Sequence, residues 1–138
     1  ELATAVMMGI PFTVVLTDNR GYGCINRLQA ATGGAPFNNL LRDSYHVNEA
    51  NLDFAAHARS MGAHAVKVGT IAHLEAALKD AKSATIPTVI VIDTDPLPGT
   101  GAGGTWWDVA VPEVSDRKEV NEARKGYETG TRAQWLLN

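Results

Sequence analysis

Asp18 and Asn19 stand side by side, with Gly21 and Gly23 just behind them, in the stretch TDNRGYG at residues 17–23. Asparagine offers a neutral carboxamide oxygen, and a glycine-permitted turn can present backbone carbonyls beside it. Hard cations such as magnesium take oxygen ligands of this kind, keep several waters and bridge to phosphates. A helix starting here would add unpaired N–H groups and the positive end of its dipole. The same residues also have a plain structural use, with Asp18 or Asn19 capping the next helix and Gly21 relaxing a tight turn. Spacing alone leaves both readings open.

A ligand-holding turn belongs beyond the carboxyl end of a strand in an open parallel sheet, where loops and helix starts converge. The flanking pattern supplies those elements. ELATAVMM reads as a helix with Leu2, Ala5 and Val6 at helical spacing, and Gly9 and Pro11 break it. FTVVLTD reads as a strand whose Val14, Val15 and Leu16 are continuous enough for burial on both faces. A helix is expected over about 22–31, closed by Gly33 and Gly34, and then a stretch without period at 35–48, a long surface connection. NLDFAAHARSMG places Phe54, Ala55, Ala58 and Met61 on one helix face, with Asn51 or Asp53 as N-cap and Gly62 as the stop. AHAVKVG is a short strand. TIAHLEAALKDAK is a helix capped by Thr70, with Ile71, Leu74, Leu78 and Ala81 inward, and PTVIVIDTD is the strongest strand. This alternation predicts an α/β fold, a three-layer parallel sheet with helices on both faces.

Composition narrows the function classes. The 138 residues are 45% hydrophobic and 20% charged with net charge −3, as expected for one acidic, water-soluble domain with one core. No apolar run reaches membrane-spanning length, and basic residues do not cluster with aromatics as nucleic-acid binding requires. His46, His57, His64 and His73 lack zinc-site spacing, and Cys24 is the single cysteine, so neither a zinc cage nor a disulfide framework is indicated. A cytoplasmic location is the expectation. The chain opens inside a helical pattern without an initiator Met, which predicts a fragment of something longer, incomplete at its N-terminus.

Taken whole, ELATAVMMGIPFTVVLTDNRGYG resembles the second half of the thiamine-diphosphate fingerprint, in which Gly-Asp-Gly is followed, one helix and one strand later, by Asn-Asn. The resemblance implies a thiamine-diphosphate-binding fold with thiamine diphosphate and Mg2+ as cofactors. It puts Asp18, Asn19, Gly21, Tyr22 and Gly23 at the cofactor, and makes the Asn19 side chain and the Gly21 carbonyl metal ligands. The Gly-Asp-Gly is absent from this chain. Asp18 departs from the family's first Asn, a position that is not a metal ligand, so the change bears on local hydrogen bonding. LDFAAHARSMGAHAVKVG resembles the following helix and strand of acetohydroxyacid synthase-like members, so residues 1–95 form the core of the family's C-terminal cofactor-binding domain, and 96–138 a Gly-, Pro- and Trp-containing tail over the core or a partner.

Within the family, NRGYGCINRLQ and GGTWWDVAVPEVSDRKEVNEAR look most like the branch that hydrolytically opens a cyclic 1,2-diketone in inositol catabolism. That likeness implies an enzyme breaking a C–C bond, working as a homodimer or tetramer, with the cofactor-activating glutamate outside this fragment. The fragment alone is then expected to be inactive. The alternatives are an acetohydroxyacid synthase-like lyase acting on pyruvate, and a non-catalytic anion-binding or interaction module. Cys24, Asn26 and Leu28 fall where the helix could meet substrate, against a small apolar role for Cys24 and one solvated and one core position for the other two. Trp106 and Trp107 suit packing or an interface, and Asp108 could bind a hydroxyl. The glycine run at 99–104 reads as lid or linker, and 115–125 as a solvated charged helix.

Overall fold

A computed structural model describes residues 1–98 and 109–134. In chain order the elements are α1 (Leu2–Met8), β1 (Thr13–Asp18), α2 (Gly23–Ala31), a 3-10 turn (Leu41–Asp43), α3 (Phe54–Ser60), β2 (His64–Val68), α4 (Ile71–Ala81), β3 (Thr88–Asp93) and α5 (Lys118–Ala133). Contacts group them into two compact units, Glu1–Asn19 with Asn48–Thr94, and Arg20–Val47 with Asp95–Asn138. Within the second unit, residues 20–47 are tied to the segment around α5, as by the Arg117 bond to the Gly33 carbonyl.

The first unit is a parallel three-stranded sheet of order β1-β3-β2. β3 is central because TVIVI is its most continuous apolar run: Thr88, Val89, Ile90, Val91 and Ile92 are all buried, Ile90 completely. Alternate side chains go to opposite faces. Val89 and Val91 join Ala55, Ala58 and Ala65 in a cluster that Leu2, Val14, Leu16 and Phe54 cover, which brings α1 and α3 to one face. Ile90 and Ile92 join Val68, with Val66, Leu74, Ala77 and Ala81 against them, which brings α4 to the other. The expected α/β sheet with helices on both faces is present.

Two expectations inside it need correction. β1 is not buried on both faces. It is an edge strand of this sheet, and Val15, beside Ile90 in register, stays 41% exposed because α4 packs over β2 and β3 only. On α4 the packed stripe is Leu74, Ala77 and Ala81, while Ile71 and Leu78 are exposed. The covered strip of sheet is narrow and takes the i, i+3, i+7 row alone.

Local chemistry sets the helix ends. Asp53 caps α3, its Oδ1 accepting the Ala56 N–H at 2.8 Å, and Thr70 caps α4, its Oγ1 accepting the His73 N–H at 3.1 Å. The Ala56 N–H is the chief reason the Asp53 carboxyl lies below its ordinary value; burial acts the other way and Arg59 adds to the lowering. Gly62 follows α3 at φ +86, the left-handed conformation that favours glycine.

In the second unit α2 ends at Ala31 and the chain turns through Gly33 at φ +80, where a Cβ would collide with the backbone of Glu119 and Val120 in α5. Arg117 Nε donates to the Gly33 carbonyl at 2.7 Å, which ties this turn to the start of α5. α5 begins later and runs longer than 115–125. Its inner face carries Val120 and also Arg124, whose guanidinium donates to Glu128 at 2.9 Å and to the Val111 carbonyl at 2.7 Å. The Glu128 bond is the leading cause that raises the Arg124 pKa above its ordinary value. No helix among the described residues is long and apolar enough to cross a membrane.

Candidate functional site

The predicted turn begins where β1 stops. Asp18, the last residue of β1, is buried, and its backbone carbonyl accepts the Thr94 N–H at 2.8 Å just past β3, so the carboxyl ends of the two strands are held level. Asn19 follows, half-buried. These two residues close the first stretch of the sheet unit, and Arg20 opens the second unit.

From Arg20 onward the turn is built differently from the capping alternative. Arg20 has φ +54, so the left-handed residue is an arginine and not the neighbouring glycine. The N-cap of α2 is Tyr22, without a side-chain cap bond, so neither Asp18 nor Asn19 caps that helix. Gly21 is required for another reason, since it pairs with Leu40 in an antiparallel bridge. A Cβ at Gly21 would lie 2.5 Å from the Asn39 carbonyl oxygen and 2.8 Å from the Leu40 Cα.

The bonds flanking this bridge fix the direction of the Gly21 peptide groups. Tyr22 N–H donates to the Asn39 carbonyl at 2.7 Å and Leu41 N–H donates to the Arg20 carbonyl at 2.9 Å. Gly21 and Leu40 are therefore the non-hydrogen-bonded pair of a short antiparallel ladder, in which each residue's own N–H and C=O point away from the other chain. The Gly21 carbonyl is aimed to the side opposite the 39–41 segment.

The other predicted residues fall on α2 or at its entrance. Tyr22 is 72% exposed and Gly23, the first helical residue, is buried. Cys24 is exposed, Asn26 is buried and Leu28 is half-buried, so the buried one of the last two is the polar Asn26. Trp106, Trp107, Asp108 and the glycine run 99–104 lie outside the described residues. Among the described residues no group of three or more His, Cys, Asp or Glu side chains is placed to hold a metal.

The sequence reading missed the role of residues 35–44. They read as a surface connection, yet Leu40 is only 2% exposed and anchors the ladder to Gly21. The available signal was the Leu40-Leu41 pair after Asn38-Asn39, since asparagine tolerates the left-handed turn that Asn38 adopts at φ +54.

A parallel sheet with helices on both faces and an Asp-Asn-x-Gly turn at a strand's carboxyl end define a class. The chain matches the model of the thiamine pyrophosphate enzyme C-terminal TPP binding domain over residues 1–92, and it belongs to that family. Similar curated proteins are named 3D-(3,5/4)-trihydroxycyclohexane-1,2-dione hydrolase. The one from Halalkalibacterium halodurans is 40% identical over 124 residues, 89% of this chain and 19% of that protein. Those from Bacillus licheniformis and Bacillus subtilis are 38% and 36% identical over 128 and 129 residues, in each case 93% of this chain and 20% of the relative. The chain thus spans about a fifth of the length of the relatives it matches.

Proposed function

We propose that this chain is part of a thiamine-diphosphate- and Mg2+-dependent hydrolase that opens the ring of 3D-(3,5/4)-trihydroxycyclohexane-1,2-dione to 5-deoxyglucuronate in myo-inositol catabolism. The observation carrying this reading is the extent of the likeness. The family model ends at residue 92, whereas similarity to the hydrolases covers 89–93% of the chain and so includes much of the segment beyond the shared domain.

The donor set of the turn fits the diphosphate-bound magnesium. Asn19 brings a neutral carboxamide oxygen and Gly21 a carbonyl aimed away from its ladder partner, and both are hard oxygen donors of the kind magnesium takes. In this reading these two hold the metal, and Asp18, Tyr22 and Gly23 line the diphosphate end of the cofactor. Thiamine diphosphate, when bound, supplies a nucleophilic carbon for breaking a C–C bond beside a carbonyl. The exposed Cys24 side chain, with Asn26 and Leu28 along α2, is the candidate substrate-facing set. In this reading the cofactor-activating glutamate comes from another domain, the 138-residue chain alone is inactive, and the intact enzyme is a cytoplasmic homodimer or tetramer. The division at residue 95 then separates the cofactor-domain core from a tail specific to the hydrolases.

The test uses the full-length enzyme incubated with the trihydroxycyclohexanedione or with pyruvate, with and without thiamine diphosphate and Mg2+, with products identified by NMR. Ring-opened 5-deoxyglucuronate only when both cofactors are present is the expected result, and Asn19→Ala abolishes it. Acetolactate from pyruvate moves the protein to the synthase branch. No product from either substrate, with partner binding insensitive to Asn19→Ala, favours a non-catalytic module.

A further inference from the structure

Residues 35–44 return to the start of α2, where backbone bonds to Arg20 and Tyr22 hold them, and two further side-chain bonds tie them to Gln29 near the other end of that helix. Gln29 uses both ends of its carboxamide: Nε2 donates to the Ala35 carbonyl, and Oε1 accepts from Asn39 Nδ2. The Ala35 carbonyl can only accept, so it sets which way round the Gln29 amide lies and presents Oε1 to Asn39. Asn39 in turn receives the Tyr22 N–H on its backbone carbonyl. The loop is thus held to α2 at both ends of the helix, by Gln29 near its C-terminus and by Tyr22 at its N-cap. Leu40, buried and next in the chain to Asn39, is the residue whose Cα backs Gly21.

We propose that Gln29 and Asn39 are positioning residues that hold the 39–41 segment against Gly21 and so fix the outward direction of the Gly21 carbonyl for metal binding. The proposal rests on the reading of that carbonyl as a magnesium ligand. The contribution of Gln29 and Asn39 is preorganisation, since without the ladder the Gly21 peptide rotates and the cation must select the competent orientation from an ensemble. Gly21 is the pivot because no other residue leaves room for Asn39 and Leu40 at this separation.

The experiment measures thiamine diphosphate binding to the full-length enzyme as Mg2+ is titrated, by quenching of intrinsic fluorescence, for wild type, Gln29→Leu, Asn39→Leu and Asn39→Gln. The Leu variants are expected to need roughly three- to tenfold more Mg2+ for half-maximal binding, the effect of losing about one net hydrogen bond. Asn39→Gln keeps a carboxamide N–H for Gln29 Oε1 and leaves the Gln29 bond to the Ala35 carbonyl in place, so it is expected to recover part of the affinity lost in Asn39→Leu, even if a Leu variant folds poorly. An unchanged Mg2+ requirement in a folded Leu variant, or an Asn39→Gln enzyme no better than Asn39→Leu, overturns the positioning role. A wild-type enzyme whose thiamine diphosphate binding ignores Mg2+ overturns the ligand reading of Gly21 itself, whatever the variants do.

Discussion

Gly33→Ala tests how the second unit is held together. Gly33 sits at φ +80, and a methyl group there would overlap the backbone of Glu119 and Val120. The left-handed conformation alone costs an alanine about 1 kcal/mol. The overlap is with backbone, so it cannot be relieved by rotating a side chain, and the first turn of α5 must move. That movement gives up the Arg117 bond to the Gly33 carbonyl, about 1.5 kcal/mol, and the burial of Val120, about 1.5 kcal/mol more. The expected loss is roughly 4 kcal/mol for opening α5. Hydrogen exchange on the full-length protein, followed in peptides from α5, reads this opening directly. Gly126→Ala is the companion variant: it lies within α5, nothing stands within 4 Å of its added Cβ, and the expected effect is a gain of about 0.5–1 kcal/mol in the same peptides. Wild-type protection of α5 in Gly33→Ala would refute the packing reasoning.

Ile90→Ala, at the fully buried centre of β3, is expected to cost about 3–4 kcal/mol in denaturant unfolding, because the residue is locked between β1 and β2 and the site collapses poorly. Asp53 gives a pH signature. Its folded pKa is depressed, so its contribution to α3 is complete above the ordinary carboxylate value and is lost as pH falls through the lower folded value. Exchange protection of the Ala56 amide should therefore drop below about pH 4 in wild type. In Asp53→Ala that amide should be weakly protected at every pH.

Much of the sheet unit is legible from short-range pattern. The run TVIVI could only be the most buried strand, and Asp53 and Thr70 stand immediately before periodic apolar segments, where a side-chain oxygen meets the free N–H groups of a first turn. The place of the Asp-Asn-x-Gly turn at the end of β1 was likewise readable, because the break in an apolar run is a local property. Burial on one strand face was not legible in the same way. Val15 has the composition of a core residue and lies beside Ile90, but whether a helix covers it depends on where α4 crosses the sheet.

The sequence by itself determined the class of elements, their order and the turn that carries the candidate ligands, since each follows from side-chain type and spacing within about ten residues. Only the tertiary structure decided that Gly21 is a glycine because Leu40 backs it, that Arg20 takes the left-handed conformation, that Gln29 and Asn39 brace the turn, and that Arg124 lies on the packed face of α5. These features join residues ten to twenty apart, or more, through backbone pairing and carboxamide or guanidinium bonds. Such bonds leave no hydrophobic period behind, and a loop with no period gives sequence reading nothing to measure.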